Sequence, residues 1–352
     1  MRSNRTLLPA AFQAVFIGFH LTCASAAEAF VKLDLPTPLM DCSSSGDQIV
    51  GTFGGGVGGG AYQGYIYDIA DHSLAVLDMP GAGCTKLLAV RGTQILADPC
   101  SEGAQLYDET TKTWTPVYCG GSPADFFGRY IVGFYYVDQQ GYFGTVSDFV
   151  AKTNAFLMAP HSSDTSFYGI YSNLVVGYSY DGRGYHGVIY DIRSHDWKTL
   201  DAPGSRSFTI ASAIDSANIA GNYYGSIGGI AGNHAFIYNL KAKTWTTVDI
   251  PGAMYVYLNS IDGQNVVGTY SGLDHVLHPF LYKLQPHMEL ILSKSSVSIL
   301  LTGAAFTSYE IESSSDCQSW QHLETIETDG SASAVITDQR TSESRYYLAR
   351  TM

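Results

Sequence analysis

Apolar residues in this chain come in short runs cut by Gly, Pro and Asp, and no run takes the 3.6-residue spacing of a long helix. The runs are rich in β-branched and aromatic residues, so the pattern predicts short strands throughout. The runs also recur. A first phrase, Ile/Val-Val/Ala-Gly, reads "IVGTF" at 49, "IVGFYY" at 131, "VVGYSY" at 175, "IAGNYY" at 219 and "VVGTYS" at 266, with a worn copy, "ILADP", at 95. The matched positions, Gly51, Ala97, Gly133, Gly177, Gly221 and Gly268, lie 46, 36, 44, 44 and 47 residues apart. A second phrase follows each, as in "GYIYD" at 64 and "AFIYN" at 235. A third is an Asp-x-Pro run, as in "VKLDLP" at 31 and "WTTVDIP" at 245. A looser apolar run, such as "KLLAV" at 86, precedes the next Gly phrase.

Four short strands in about 44 residues, repeated, predict the blades of a β-propeller. The last unit ends at "HPFLYKL" with no third phrase, whereas a spare one, "AFVKLDLP", stands ahead of the first Gly phrase. The expected fold is therefore all-β: a six-bladed propeller over residues 27–285, closed by the N-terminal strand so that no open sheet edge remains. Pro80-Gly81, Pro203-Gly204 and Pro251-Gly252 suit type II turns. Asp34, Asp78, Asp201 and Asp249, two residues ahead of each Pro, are expected to accept backbone N–H bonds from the turn that follows.

"HAFIYNLKAKTWTTVDIPGA" with "NIAGNYY" resembles the repeat of the HAF family of bacterial extracellular repeat proteins, over about residues 30–284. The resemblance implies export and a propeller-like body. It carries over no catalytic residue. It is worn in units two and three, where Trp114 survives but the Asp and Pro do not. The tail, 286–352, alternates in "SYEIES" and "SASAVIT" and resembles small C-terminal β-sandwich modules of secreted bacterial proteins, of the fibronectin or Ig-like kind.

Residues 1–26 carry Arg2 and Arg5, an apolar stretch and Ala24-Ser25-Ala26, and read as a secretory signal peptide. No other segment is long and apolar enough to span a bilayer. The expected localisation is secreted or at the cell surface. The net charge is −13, and about −15 without the leader, which disfavours nucleic acid as a partner. A monomer is expected. Export permits disulfides among Cys42, Cys84, Cys100 and Cys119, which allow three pairings. Since a meander puts all four on one rim, Cys42–Cys84 with Cys100–Cys119 is the preferred set. Cys317 is expected to be a buried thiol.

His186, His234 and His278 hold the same place in three units and are weak metal candidates. A structural His, bonded to a neighbouring strand or turn, is the favoured reading. No cofactor is expected. The loops between the first and second phrases are rich in Gly, Tyr, Asn and Asp, which offer flat contact area and adaptable hydrogen bonds. Tyr136, Tyr142, Tyr180, Asp181 and Tyr185 are the expected ligand contacts. Catalytic motifs such as His-Glu-x-x-His and Gly-x-Ser-x-Gly are missing from the sequence. The expected function is non-catalytic binding of an extracellular ligand or polysaccharide. The alternatives are a propeller lyase or glycoside hydrolase, which a polar channel with converging charges would favour, and a structural envelope protein.

Overall fold

The computed structural model describes residues 14–15, 20–21, 30–35, 39–54, 61–100, 102–227, 230–250, 252–284, 286–292, 296–303, 307–315, 319–329, 333–339 and 346–351. Most of the leader, residues 55–60, Pro251 and Cys317 lie outside the described residues. The chain divides into two units, Lys32–Leu281 and Tyr282–Met352 with Met1–Val31. The division falls a few residues ahead of the expected boundary at 285.

In the larger unit the described elements are all strands. Sheet I joins Leu39–Ser45, Gln48–Gly54, Tyr62–Asp68 and Leu74–Val76. Sheet II joins Lys86–Arg91, Gln94–Asp98, Gln105–Asp108 and Thr113–Pro116. Sheet III joins Ser122–Phe127, Tyr130–Val137, Gly141–Asp148 and Thr153–Leu157, and sheet IV Asp164–Tyr171, Leu174–Tyr180, Tyr185–Asp191 and Trp197–Leu200. Sheet V holds Thr209–Ile214, Asn218–Ile227, Ile230–Asn239 and Trp245–Val248. Sheet VI holds Tyr255–Asp262, Asn265–Ser271 and Leu277–Lys283, with Phe30–Lys32 as its fourth strand. A single parallel bridge, Asn233 to Tyr255, joins V and VI. In every sheet the looser run is the first strand, the Gly phrase or its worn copy the second, and the third phrase, with or without its Asp and Pro, the fourth.

The N-terminal strand takes the register of its counterparts. Leu33 donates its N–H to Pro279 O (3.1 Å), as Leu77 does to Gly64 O and Val117 to Ala104 O. Leu33 and Leu35 then bury themselves with Tyr65, Val267 and Leu281, drawn from sheets I and VI.

Each first strand carries a register shift against the second. In sheets II to VI the skipped residue is Leu88, Ala124, Tyr168, Ser212 or Asn259; in sheet I it is Met40. Such a bulge explains the repeated glycine. A Cβ on Gly133, Gly177, Gly221 or Gly268 would overlap the carbonyl of Ser122, Ser166, Ile210 or Tyr257 just ahead of the bulge. Sheet II manages with Ala97.

Side chains near the end of the first strand reach the next sheet from sheets I, III, V and VI. Ser43 Oγ accepts Val90 N–H, Asp125 Oδ2 accepts Ile170 N–H, and Ser260 Oγ accepts Ser44 N–H. Two residues on, Ser45 Oγ accepts Gly92 N–H, Asp215 Oδ2 accepts Gly263 N–H, and Asp262 Oδ2 accepts Gly46 N–H at 2.7 Å. The links from Ser260 and Asp262 join sheet VI to sheet I, so the last sheet packs on the first.

The turns after the third strands repeat as closely. Asp68, Asp108, Asp148 and Asp191 each accept two backbone N–H bonds with Oδ1, and Asn239 does the same. Four residues later stand His72, Lys112, Lys152, His195 and Lys243, all at φ of 55–60°. The expected positive φ at Gly81, Gly204 and Gly252 is present, at 82–84°. The C-terminal part of the smaller unit forms, among the described residues, two three-stranded sheets, of orders His287–Leu292, Ser296–Thr302, Ser333–Gln339 and Gln321–Glu327, Ser308–Ser314, Tyr346–Thr351. Its core includes Met288, Ile299, Tyr309, Ile311 and Tyr347.

Two expectations are corrected. Cys84 is bonded to Cys100 (Cα–Cα 5.6 Å), so neither Cys42–Cys84 nor Cys100–Cys119 forms. Cys84 lies in the connection entering sheet II, beside the hairpin that carries Cys100. Cys42 lies within the first strand of sheet I, in its core, rather than on the rim. The Cys119 thiol donates to Gly121 O. The aspartates of the Asp-x-Pro runs also differ. Asp201 Oδ2 meets His186 Nδ1 at 2.9 Å and Asp249 Oδ1 meets His234 Nδ1 at 3.0 Å. Asp78 takes Gln63 Nε2 and Gly64 N–H. Asp78, Asp201 and Asp249 therefore clasp the third strand of their own sheets instead of the turn ahead.

Candidate aromatic rim and central cavity

The hairpins joining second to third strands lie beside the connections between sheets. Tyr142 N–H reaches Asp164 Oδ1, Thr85 N–H reaches Tyr62 O and Tyr185 N–H reaches Ser207 O. Four of the five expected contact residues meet there as rings. Tyr136 and Tyr142 lie 5.0 Å apart between centroids, across the hairpin of sheet III. Tyr180 and Tyr185 lie 4.8 Å apart in sheet IV.

Three rings that the sequence did not single out connect the two pairs. Tyr142 contacts Phe134 (5.8 Å), Phe134 contacts Tyr168 (6.5 Å), Tyr168 contacts Tyr178 (5.8 Å) and Tyr178 contacts Tyr185 (5.3 Å). Seven rings thus run from one sheet to the next. Tyr136 is 54% exposed, Tyr185 43% and Tyr142 37%. Burial raises the Tyr178 phenol, and it raises Tyr168 well beyond the ordinary tyrosine range. Tyr168 is also the skipped residue of its strand. The signal that marks it is its place in the looser run, which shares no common phrase.

Asp181 serves the turn. Its Oδ1 accepts N–H bonds from Arg183 (2.8 Å) and Gly184 (3.0 Å), which hold the carboxyl below its usual range. His186 sits between Asp201 and Asp181, with its pKa raised chiefly by the Asp201 bond. His278 Nε2 bonds Asp274 within its own hairpin. Among the described residues no group of three or more His, Cys, Asp or Glu is placed to hold a metal ion.

Phe134 and Tyr168 also line a cavity of about 430 Å³ bounded by residues of the first strands of all six sheets. Skipped residues Leu88, Ala124, Tyr168, Ser212 and Asn259 line it, beside Lys86, Asp98, Arg91 and Asp125. Arg91 Nη2 and Asp125 Oδ2 pair at 2.7 Å. Burial raises the Asp125 carboxyl against the pull of Arg91 and of the Ile170 and Phe126 N–H groups.

No family model and no curated protein matches the chain. Among solved structures the chain is similar to TolB from Acinetobacter baumannii, at 14% identity and TM-score 0.48, over 68% of this chain and 65% of that one. A putative TolB from Agrobacterium tumefaciens gives 10% identity and TM-score 0.48, over 85% and 100%. The β-propeller domain of the trilobed protease from Pyrococcus furiosus gives 12% and 0.40, over 86% and 94%. Likeness at this level carries nothing about activity. Among the described residues no helix is long and apolar enough to cross a membrane.

Proposed function

We propose that this chain is an exported, HAF-like six-bladed β-propeller with a small C-terminal β-sandwich, and that it binds an extracellular glycan or glycan-coated surface through its aromatic rim without catalysing a reaction. The sheet repeat and the links from sheet VI to sheet I support the ring. The Cys84–Cys100 bridge is compatible with an oxidising compartment. The observation that carries the binding reading is the run of seven rings across sheets III and IV, with three rings exposed. The negative face of an aromatic ring favours the weakly positive C–H face of a sugar. Rings held against one another lose little freedom when a ligand settles on them.

A glycan array tests this. The pairs Tyr136→Ala with Tyr142→Ala and Tyr180→Ala with Tyr185→Ala should each weaken the wild-type signal by roughly tenfold or more, about 1.4 kcal/mol. Unchanged binding by both removes the rim proposal.

The second reading, a propeller lyase or glycoside hydrolase, is favoured by the charges in the cavity and by the raised Asp125 carboxyl. Against it, Asp125 already serves Arg91 and two backbone N–H groups. Release of reducing ends or unsaturated products from a polysaccharide, lost in Asp125→Asn, would replace the binding reading with this one.

A further inference from the structure

The third strands of sheets IV, V and VI carry a histidine at the same place, and its carboxylate partners differ from sheet to sheet. In sheet V, His234 Nδ1 meets Asp249, at the exit of the outer strand, at 3.0 Å, and its Nε2 is buried without a partner among the described residues. In sheet VI, His278 Nε2 meets Asp274 of the hairpin at 2.6 Å. In sheet IV, His186 meets both kinds. Its Nδ1 lies 2.9 Å from Asp201 Oδ2, at the outer-strand exit, and its Nε2 lies 3.6 Å from Asp181 Oδ2, on the hairpin.

That hairpin carries half of the rim. Tyr180 and Tyr185 close the ladder as its last pair, and Asp181 Oδ1 caps the turn between them through Arg183 and Gly184 N–H. Asp181 directly follows the first ring and His186 directly follows the second. The charge on the imidazole decides how many carboxylates it can serve. Neutral, it has one N–H; protonated, it has two and a positive charge. Asp201 is the nearer partner and keeps the single N–H of the neutral form, so Asp181 loses its partner when the proton leaves.

At this end of the sheet the second strand brings Tyr178 and Tyr180 near His186, the hairpin Asp181 and Arg183, its own strand Tyr185, the outer-strand exit Asp201, and the connection into sheet V Arg206. The first strand of sheet V, Thr209–Ile214, brings no titratable group. The Asp201 bond raises the imidazole pKa most, burial opposes it, and Asp181 adds to the rise. Arg183 acts on Asp181, whose carboxyl it helps to hold below its usual range. Asp181 therefore stays ionised in mild acid, where the imidazole changes charge.

We propose that His186 is a positioning residue of the rim: its charged form ties the hairpin of Tyr180 and Tyr185 to the exit of the outer strand, so that the sheet IV half of the rim holds a glycan more tightly in mild acid than in mild alkali. The ligand in this statement rests on the rim reading, whereas the tie between His186 and the two rings does not. Sheet III has Phe143 at the equivalent place, so its Tyr136–Tyr142 pair lacks this control.

The test labels the full chain with 3-fluorotyrosine and follows the Tyr180 and Tyr185 signals by fluorine NMR from about pH 5 to about pH 8, with assignment by Tyr180→Phe and Tyr185→Phe. Both signals should move through one inflection above the ordinary His range. His186→Gln, which copies the uncharged Gln63 on Asp78 of sheet I, should cut that movement to less than half. Asp181→Asn should do the same, although Asp201 still bonds the imidazole and His186 still titrates. Signals that stay still in the wild type, or keep more than half of their movement in either folded variant, overturn the proposal. If one variant misfolds, the other decides. Immobilised xylan, mannan, β-1,3-glucan and cellulose, whose own charge does not change, then read the effect on binding. Wild type should bind at least one of them about threefold more tightly at the acid end, the size expected of a partly exposed ion pair. The difference should persist in Tyr136→Ala with Tyr142→Ala and vanish in His186→Gln. Equal binding at the two ends, or a difference that survives in Tyr180→Ala with Tyr185→Ala, overturns the link to the rim. Binding to none of the four counts against the rim reading, and the fluorine titration still decides the role of His186.

Discussion

Sheets II and V have the same four strands and hold their outer edges by different means. In sheet V the outer strand is clasped by Asp249 on His234, and Trp245 packs on Phe236 and Tyr238 at 4.9 and 4.7 Å. In sheet II the places of that His and Asp, read from the register, are taken by Gly103 and Tyr118, so no clasp is made. Trp114 still packs on Tyr107 at 4.8 Å. The Cys84–Cys100 bridge lies elsewhere, between the connection entering sheet II and the hairpin of its second and third strands. A repeat unit can therefore shed its polar signature and keep its outer strand on the ladder and the Trp packing alone. Sheet VI shows a third solution, in which the edge is borrowed from the far terminus and His278 turns to Asp274.

These alternatives can be ranked by breaking them. Leu33→Asp puts a carboxylate into the core shared by sheets I and VI. It should cost about 4 kcal/mol or more and abolish cooperative thermal unfolding at the wild-type temperature. Near-wild-type melting would show that the borrowed strand is dispensable. Cys84→Ser with Cys100→Ser should lower stability by about 3 kcal/mol for a bridge between residues 16 apart, and a reducing agent should give wild type the same loss. Asp262→Ala strips the acceptor from Gly46 N–H at the seam and should cost about 1–2 kcal/mol in urea unfolding. Ser45→Ala, at the equivalent neutral link to Gly92, should cost less, about 0.5–1 kcal/mol.

The smallest effect is expected at the clasp. Asp201 raises the pKa of His186, so the folded protein holds that proton more tightly than the unfolded chain. The resulting stability is fully present below the ordinary His range and fades as pH rises through the raised value. His186→Gln, which copies Gln63 of sheet I, removes the titration. The melting temperature of wild type should exceed that of the variant most at about pH 5 and converge with it in alkaline buffer. A gap that widens with pH would reverse the assignment.

Much of the architecture was legible because three of the four strands in each unit carry backbone-driven phrases. The repeated glycine clears a first-strand carbonyl, the Asp or Asn of the third strand caps a tight turn, and Pro-Gly turns the chain out of the fourth. The place of Tyr136, Tyr142, Tyr180 and Tyr185 at the hairpins between second and third strands was legible from the Gly-rich segments around them. Asp181 stands in the same hairpin and caps its turn, a duty that draws on the same residue type as meeting a ligand. Tyr168 and its equivalents stayed hidden because a position that faces shared space is under no common constraint: Leu, Ala, Tyr, Ser and Asn occupy it in five successive sheets. The disulfide was misassigned because the meander put Cys42 on the rim, whereas it lies within a first strand, and Cys84 meets Cys100 instead.

That hidden position has an evolutionary corollary. The skipped residue does little for the ladder, so exchanging it costs the scaffold little. A lineage carrying these sheets can revise the skipped positions one residue at a time, with Leu, Ala, Tyr, Ser and Asn already sampled, while glycines, caps and seam contacts stay unchanged. Related chains should then differ most at those skipped positions, and least at the glycines and turn caps between them.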